Sequence, residues 1–113
     1  MKIYIMADLE GISGIYCAAQ VMPEDAKYVE GRRLMTREVN ICAKACKDAG
    51  ADAVYFRDCH SAGGNCIWEE LTEDVDLCIS GAIDNTRFPK ELDECDGVIL
   101  LGYHAKAGTA GAC

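Results

Sequence analysis

The sequence predicts an α/β fold, a mainly parallel sheet with flanking helices. Three observations predict it. Short apolar runs rich in β-branched and aromatic residues recur at 2–7, 53–56, 75–79 and 97–102. One long stretch, from Pro23 to about residue 49, carries apolar residues at spacings of three and four. Strand and helix patterns alternate along the chain, the order that builds parallel sheets.

The elements follow in turn. Residues 2–7 alternate and are rich in Ile and Tyr, which reads as the first strand. A loop with Gly11 and Gly14 comes next. Pro23 suits the first turn of a helix, and Glu24 and Asp25 there complement its dipole. Met35, Val39, Cys42, Cys46 and Ala49 form its apolar stripe, Gly31 separates a short first helix from a longer second one, and Gly50 stops it. Ala53–Phe56 is the second strand, 61–65 a loop and 67–71 a short helix. Val75–Ile79 reads as a third, short strand, and 84–96 as a short helix or turns around Pro89. The unbroken apolar run 97–102 has the composition of a strand buried on both faces. A single long helix covers only one face of such a sheet. The expectation is therefore a domain that is truncated or oligomeric.

With 113 residues the chain fits one domain, 1–113. A domain of that size buries roughly two thirds of its unfolded surface, enough for a modest core. No apolar run approaches the ~18 residues that a membrane span requires. Asp8 interrupts the N-terminal apolar stretch before a signal peptide could form, so a cytoplasmic protein is expected. The net charge of −8, with 11 basic residues scattered among 19 acidic ones, argues against nucleic acid as a partner. It suits metal ions or amines, or simply solubility. Eight cysteines without a C-x-x-C pair, in a reducing compartment, read as small core residues rather than disulfides or a zinc ribbon.

The chemistry-bearing residues cluster at strand ends. Asp8 and Glu10 follow the first strand, His60 the second and His104 the last, and these are the chain's two histidines. In a parallel sheet all strands end on one edge, and ligands bind outside it. Topology alone brings the four together. Carboxylates with imidazoles suit borderline divalent metals. Asp8 and Glu10 are two apart, so in an extended segment they share a side, and one of them could bridge two ions. Taken singly, each residue has an ordinary reading: a histidine at a strand edge, a carboxylate in a loop. Asp58 either orients His60 or caps a loop. The glycines at 11, 14, 63 and 64 do not have the spacing of a phosphate-binding loop.

Three segments carry a resemblance. They are Asp8-Leu9-Glu10-Gly11-Ile12-Ser13-Gly14, Asp58-Cys59-His60-Ser61 and Leu101-Gly102-Tyr103-His104-Ala105-Lys106-Ala107-Gly108-Thr109, with Glu30–Thr36 of the helix. In order and spacing they are similar to the signatures of the two-zinc D-aminopeptidases, peptidase family M55, with Cys59 where a serine is usual. The resemblance implies that Asp8, Glu10, His60 and His104 are zinc ligands, with Asp8 as the bridge between two ions. It implies metal-assisted release of N-terminal D-amino acids from short peptides by a homo-oligomer. Family members continue past Cys113, where a further glutamate ligand and the histidine acting at the reacting centre are found. No catalytic residue of the family therefore falls within this chain, and weak metal binding with poor catalysis is expected of it alone.

Two other readings compete. The chain could be an inactive remnant or fragment that acts only as an assembly partner. An N-terminal strand followed by Asp-x-Glu-Gly is also similar to the start of haloacid-dehalogenase-like phosphatases. There Asp8 would accept the phosphoryl group with magnesium, and neither histidine would have a role.

Overall fold

Four strands form one all-parallel sheet in the computed structural model, which describes residues 1–80 and 90–111. They are β1 (Lys2–Ala7), β2 (Ala53–Asp58), β3 (Leu77–Ile79) and β4 (Gly97–Leu101), in the order β3-β2-β1-β4. The long helix α1 spans Tyr28–Asp48. Shorter 3-10 turns lie at Ala18–Gln20, Trp68–Glu70 and Lys90–Glu94. The last of these falls in the stretch expected to be a short helix or turns. Residues 84–89 of that stretch, Pro89 included, lie outside the described residues, as does Cys113.

The core lies between the sheet and α1. Ile5 and Ala7 of β1, Val54 and Phe56 of β2, and Met35, Val39 and Ala43 of α1 are fully buried together. The stripe is therefore Met35-Val39-Ala43, with Cys42 and Cys46 half-buried at its edge. Ala49, expected to belong to it, is the exposed cap that follows the last helical residue. The seven described cysteines are free thiols, all partly buried.

Several features differ from the sequence reading, the start of β3 at Leu77 rather than Val75 among them. The helix begins at Tyr28 rather than Pro23. Asp25 N bonds Met22 O and Tyr28 N bonds Asp25 O, a run of tight turns that redirects the chain before the helix starts. Gly31 does not break the helix. It lies inside α1 against the Ala18–Gln20 turn, where a Cβ would sit 2.0 Å from the Gln20 carbonyl oxygen. The glycine thus serves close approach, not a boundary. Finally, β4 is not buried on both faces. Gly97, Ile99 and Leu101 are partly buried, whereas Val98 and Leu100 are 47% and 63% exposed. An unbroken apolar run shows that both faces can be buried, not that both are. Strand β2 also runs two residues past Phe56, because pairing with β1 continues to Ala7 and Asp58.

Candidate metal centre

The strand ends are level. Ala7 of β1 lies opposite both Asp58 of β2 and Leu101 of β4. The residues that follow leave the sheet side by side. Asp8 N bonds Leu101 O at 2.8 Å, and Gly11 N bonds Gly102 O at 2.7 Å, which fastens the exits of β1 and β4 together. Gly102 has φ 68°, and a Cβ there would lie 2.3 Å from the Asp8 carbonyl oxygen. Only glycine permits this approach, which sets His104 beside Asp8.

Asp8 and Glu10 converge, though not by the expected route. β1 ends at Ala7, and Ile12 N bonds Leu9 O at 3.2 Å, so the two carboxylates sit in a turn rather than an extended segment. Ligand atoms of Asp8, Glu10 and His104 nevertheless lie within 4.8 Å of one another. His60, only 8% exposed, reaches the same carboxylates. Its Nδ1 is 3.2 Å from Asp8 Oδ1 and 3.0 Å from Glu10 Oε2. A cavity of about 310 Å³ opens over this cluster, with Val21, Met22 and Cys59 among its walls.

Backbone carbonyls fix both imidazoles. His60 Nε2 lies 2.9 Å from Val21 O, and a carbonyl only accepts, so Nε2 carries the proton. His104 Nδ1 lies 2.6 Å from Ala105 O, so there Nδ1 carries it. The remaining nitrogens, His60 Nδ1 and His104 Nε2, face different oxygens of Asp8, the second at 3.4 Å from Oδ2. In neutral imidazoles those nitrogens hold lone pairs against anionic oxygens, which repel. Something positive must lie between them.

A proton is one answer. The hydrogen bond to Asp8 pushes His60 up to about 9 against the opposing effect of burial, helped by the Val21 carbonyl and the Glu10 charge. The Ala105 carbonyl and then Asp8 raise His104. Burial works against the charge of Asp8, but the His60 hydrogen bond and the Leu9 amide outweigh it and hold its carboxyl below the usual range. A divalent cation is the other answer. Two carboxylates and two imidazoles are a donor set that zinc accepts. A ligating histidine ordinarily gives its remote N–H to a carbonyl or carboxylate, as both do here. The residues present fit a metal.

Asp58 organises the loop that carries His60. Its carboxylate accepts from Asn65 N at 2.5 Å, Asn65 Nδ2 at 2.8 Å, Cys66 N at 3.0 Å and His60 N at 3.3 Å. It therefore holds His60 by the backbone amide and not by the ring. Asn65 Nδ2 also donates to His60 O at 2.8 Å. Ser61, next in the chain, has φ 52°, the one positive φ among the described non-glycine residues. Sequence reasoning missed Asn65, Val21 and Ala105. Asn65 left a faint signal, a polar residue in a glycine-rich loop. The other two act through carbonyls that every residue has.

No helix among the described residues is long and apolar enough to cross a membrane. A family model described as D-aminopeptidase, Peptidase_M55, matches residues 1–113. A D-aminopeptidase of Bacillus subtilis (strain 168) is 38% identical over 112 residues, which is 98% of this chain and 40% of that protein. A solved structure, described as the Zn-dependent D-aminopeptidase DppA from Bacillus subtilis, a self-compartmentalizing protease, superposes with a TM-score of 0.85 at 36% identity. That match covers 96% of this chain and 40% of the other, so the chain spans about 40% of the length of the relatives it matches. These matches give no support to the phosphatase alternative, which leaves both histidines on Asp8 without a role.

Proposed function

The chain belongs to the M55 family of D-aminopeptidases, and from that premise we propose that it carries the zinc-binding portion of an aminopeptidase releasing N-terminal D-amino acids from short peptides. One observation carries the reading: the two histidines, each pinned by a backbone carbonyl, turn their free nitrogens onto the two oxygens of Asp8. Asp8, Glu10, His60 and His104 would hold the metal, and Asp8, engaged on both oxygens, would be the residue to serve a second ion. Zinc bound there would supply Lewis acidity toward a peptide carbonyl and activate water near neutral pH. The chain's own contribution is orientation. Val21 and Ala105 fix the tautomers, and Asp58 and Asn65 hold the loop under His60.

The resemblance places a further glutamate ligand and an acting histidine past position 113, so we propose that turnover needs groups beyond these 113 residues. Homo-oligomeric assembly belongs to the same proposal, supported by the self-compartmentalizing relative. So does a cytoplasmic location, supported by the seven free thiols. A second reading, a fragment that acts only in assembly, is favoured by the exposed apolar side chains of β4.

Calorimetric titration of zinc into the purified chain tests the proposal. Zinc should bind, and Asp8→Ala should weaken it at least about 100-fold, more than loss of a group that merely orients a ligand. Equal binding by the variant would sink the centre. The unaltered chain should hydrolyse D-alanyl peptides at background rate, and clear turnover would show that no further group is needed.

A further inference from the structure

A second cavity adjoins the centre. It is a groove of about 380 Å³ lined by Glu10, Ile15, Tyr16, Cys17, Ala18 and Val21. It shares Glu10 and Val21 with the cavity over the metal ligands. Its size falls within the range of small-molecule sites, roughly 300–1,000 Å³, and apart from Glu10 its named walls are apolar or aromatic.

The groove is preformed. Gln20, fully buried, closes the 14–20 loop on itself. Its Oε1 accepts from Tyr16 N at 2.8 Å and Cys17 N at 3.2 Å, while its Nε2 donates to Gly14 O at 3.1 Å. Gly31 of α1 packs directly against the Gln20 carbonyl from behind. Tyr16 at the rim is 70% exposed, an unusual place for a large aromatic ring. It is nonetheless held, because Lys27 Nζ donates to its hydroxyl at 2.6 Å and lies 4.9 Å from the ring centroid. A fixed aromatic ring beside an apolar groove offers contact area at little entropic cost.

We infer that this groove receives the side chain of the residue that the enzyme releases, and that it selects apolar, aliphatic or aromatic residues over charged ones. The inference rests on the aminopeptidase reading of the adjoining centre. The Cβ of the released residue is two bonds from the carbonyl carbon under attack, so its side chain must lie in a space that borders the metal. The groove is such a space. Glu10 marks where the two cavities meet, and the walls beyond it offer hydrophobic contact and no charged group. A charged side chain of either sign would lose its hydration against Ile15, Ala18 and Val21.

The test uses the zinc-loaded 113-residue chain and two probes, D-leucinamide and D-alaninamide, titrated while backbone amide resonances are followed. D-leucinamide should bind about tenfold more tightly, the discrimination that added methylene groups give in an apolar site. The largest shifts should fall on Tyr16, Cys17 and Ala18. Ala18→Phe, an exposed position on a 3-10 turn, should fill the groove and abolish the preference while zinc affinity stays unchanged. If zinc does not bind, the centre fails and the groove with it. If zinc binds and D-leucinamide shows no preference, or Ala18→Phe leaves the preference intact, the groove is overturned and the centre stands.

Discussion

The edge of the sheet where the strands end and the face of the sheet turned away from α1 are built to opposite standards. At the edge, buried polar groups are almost fully paired. Asp58 accepts four hydrogen bonds, the buried ring of His60 is held by the Val21 carbonyl, and Asn65 bonds on both sides of its loop. On the open face, Val98 and Leu100 of β4 and Leu77 of β3 present apolar side chains to solvent. The difference teaches that the site and its enclosure are separate constructions. Local hydrogen bonds within the described residues suffice to orient the candidate ligands, whereas the second face buries Tyr4 but leaves its flanking apolar side chains open.

Stability should divide along that line. Met35→Ala, beneath the covered face, should cost about 3 kcal/mol, the usual penalty for emptying a core position. Leu100→Ser, on the open face, should fall within about 0.5 kcal/mol of the unaltered chain. Urea melts of both variants measure the contrast, and a Leu100→Ser cost matching that of Met35→Ala would mean that the face is covered in solution. A smaller effect belongs to the edge. Asp58→Asn should cost about 2 kcal/mol, because amide N–H groups of the loop lose a charged acceptor. It should also weaken zinc about tenfold through a misplaced His60, with the fold intact by circular dichroism.

A further contrast is one of pH. The folded value of His60, about 9, lies above its ordinary 6.5. The folded state therefore holds that proton more tightly than the unfolded chain does. Its stabilisation is fully present below about pH 6.5 and is lost as pH rises through about 9. Melts of the zinc-free chain at pH 6, 7.5 and 9 should show a progressive decline that His60→Gln flattens. An undiminished slope in that variant would assign the titration elsewhere.

The edge was far more legible in the sequence than the face. Asp8, His60 and His104 stand just past apolar runs, and a parallel sheet must deliver such positions to one side. That reasoning needed only strand identity and direction, which β-branched residues announce. It reached the right neighbourhood even though the assumed extended path from Asp8 to Glu10 is a turn. The tautomer-fixing contacts of Val21 and Ala105 were illegible because carbonyls are common to every residue. Gly31 misled because a glycine demanded by close packing looks the same as one that ends a helix. The run 97–102 misled for a related reason: composition records what a strand tolerates on each face, not what lies there. The family resemblance, resting on three short segments, is matched by the family comparison along the whole chain.

Val21 belongs to two structures at once. Its carbonyl holds the ring of His60, and the residue lines both cavities. On the proposed reading one residue thus serves both side-chain selection and the seating of a metal ligand, and a change of side chain there puts both at risk. Reshaping of the proposed preference should run more freely through Ile15 than through Ala18 or position 21, because the Ala18 carbonyl itself accepts from Val21 N at 2.9 Å and Met22 N at 3.2 Å.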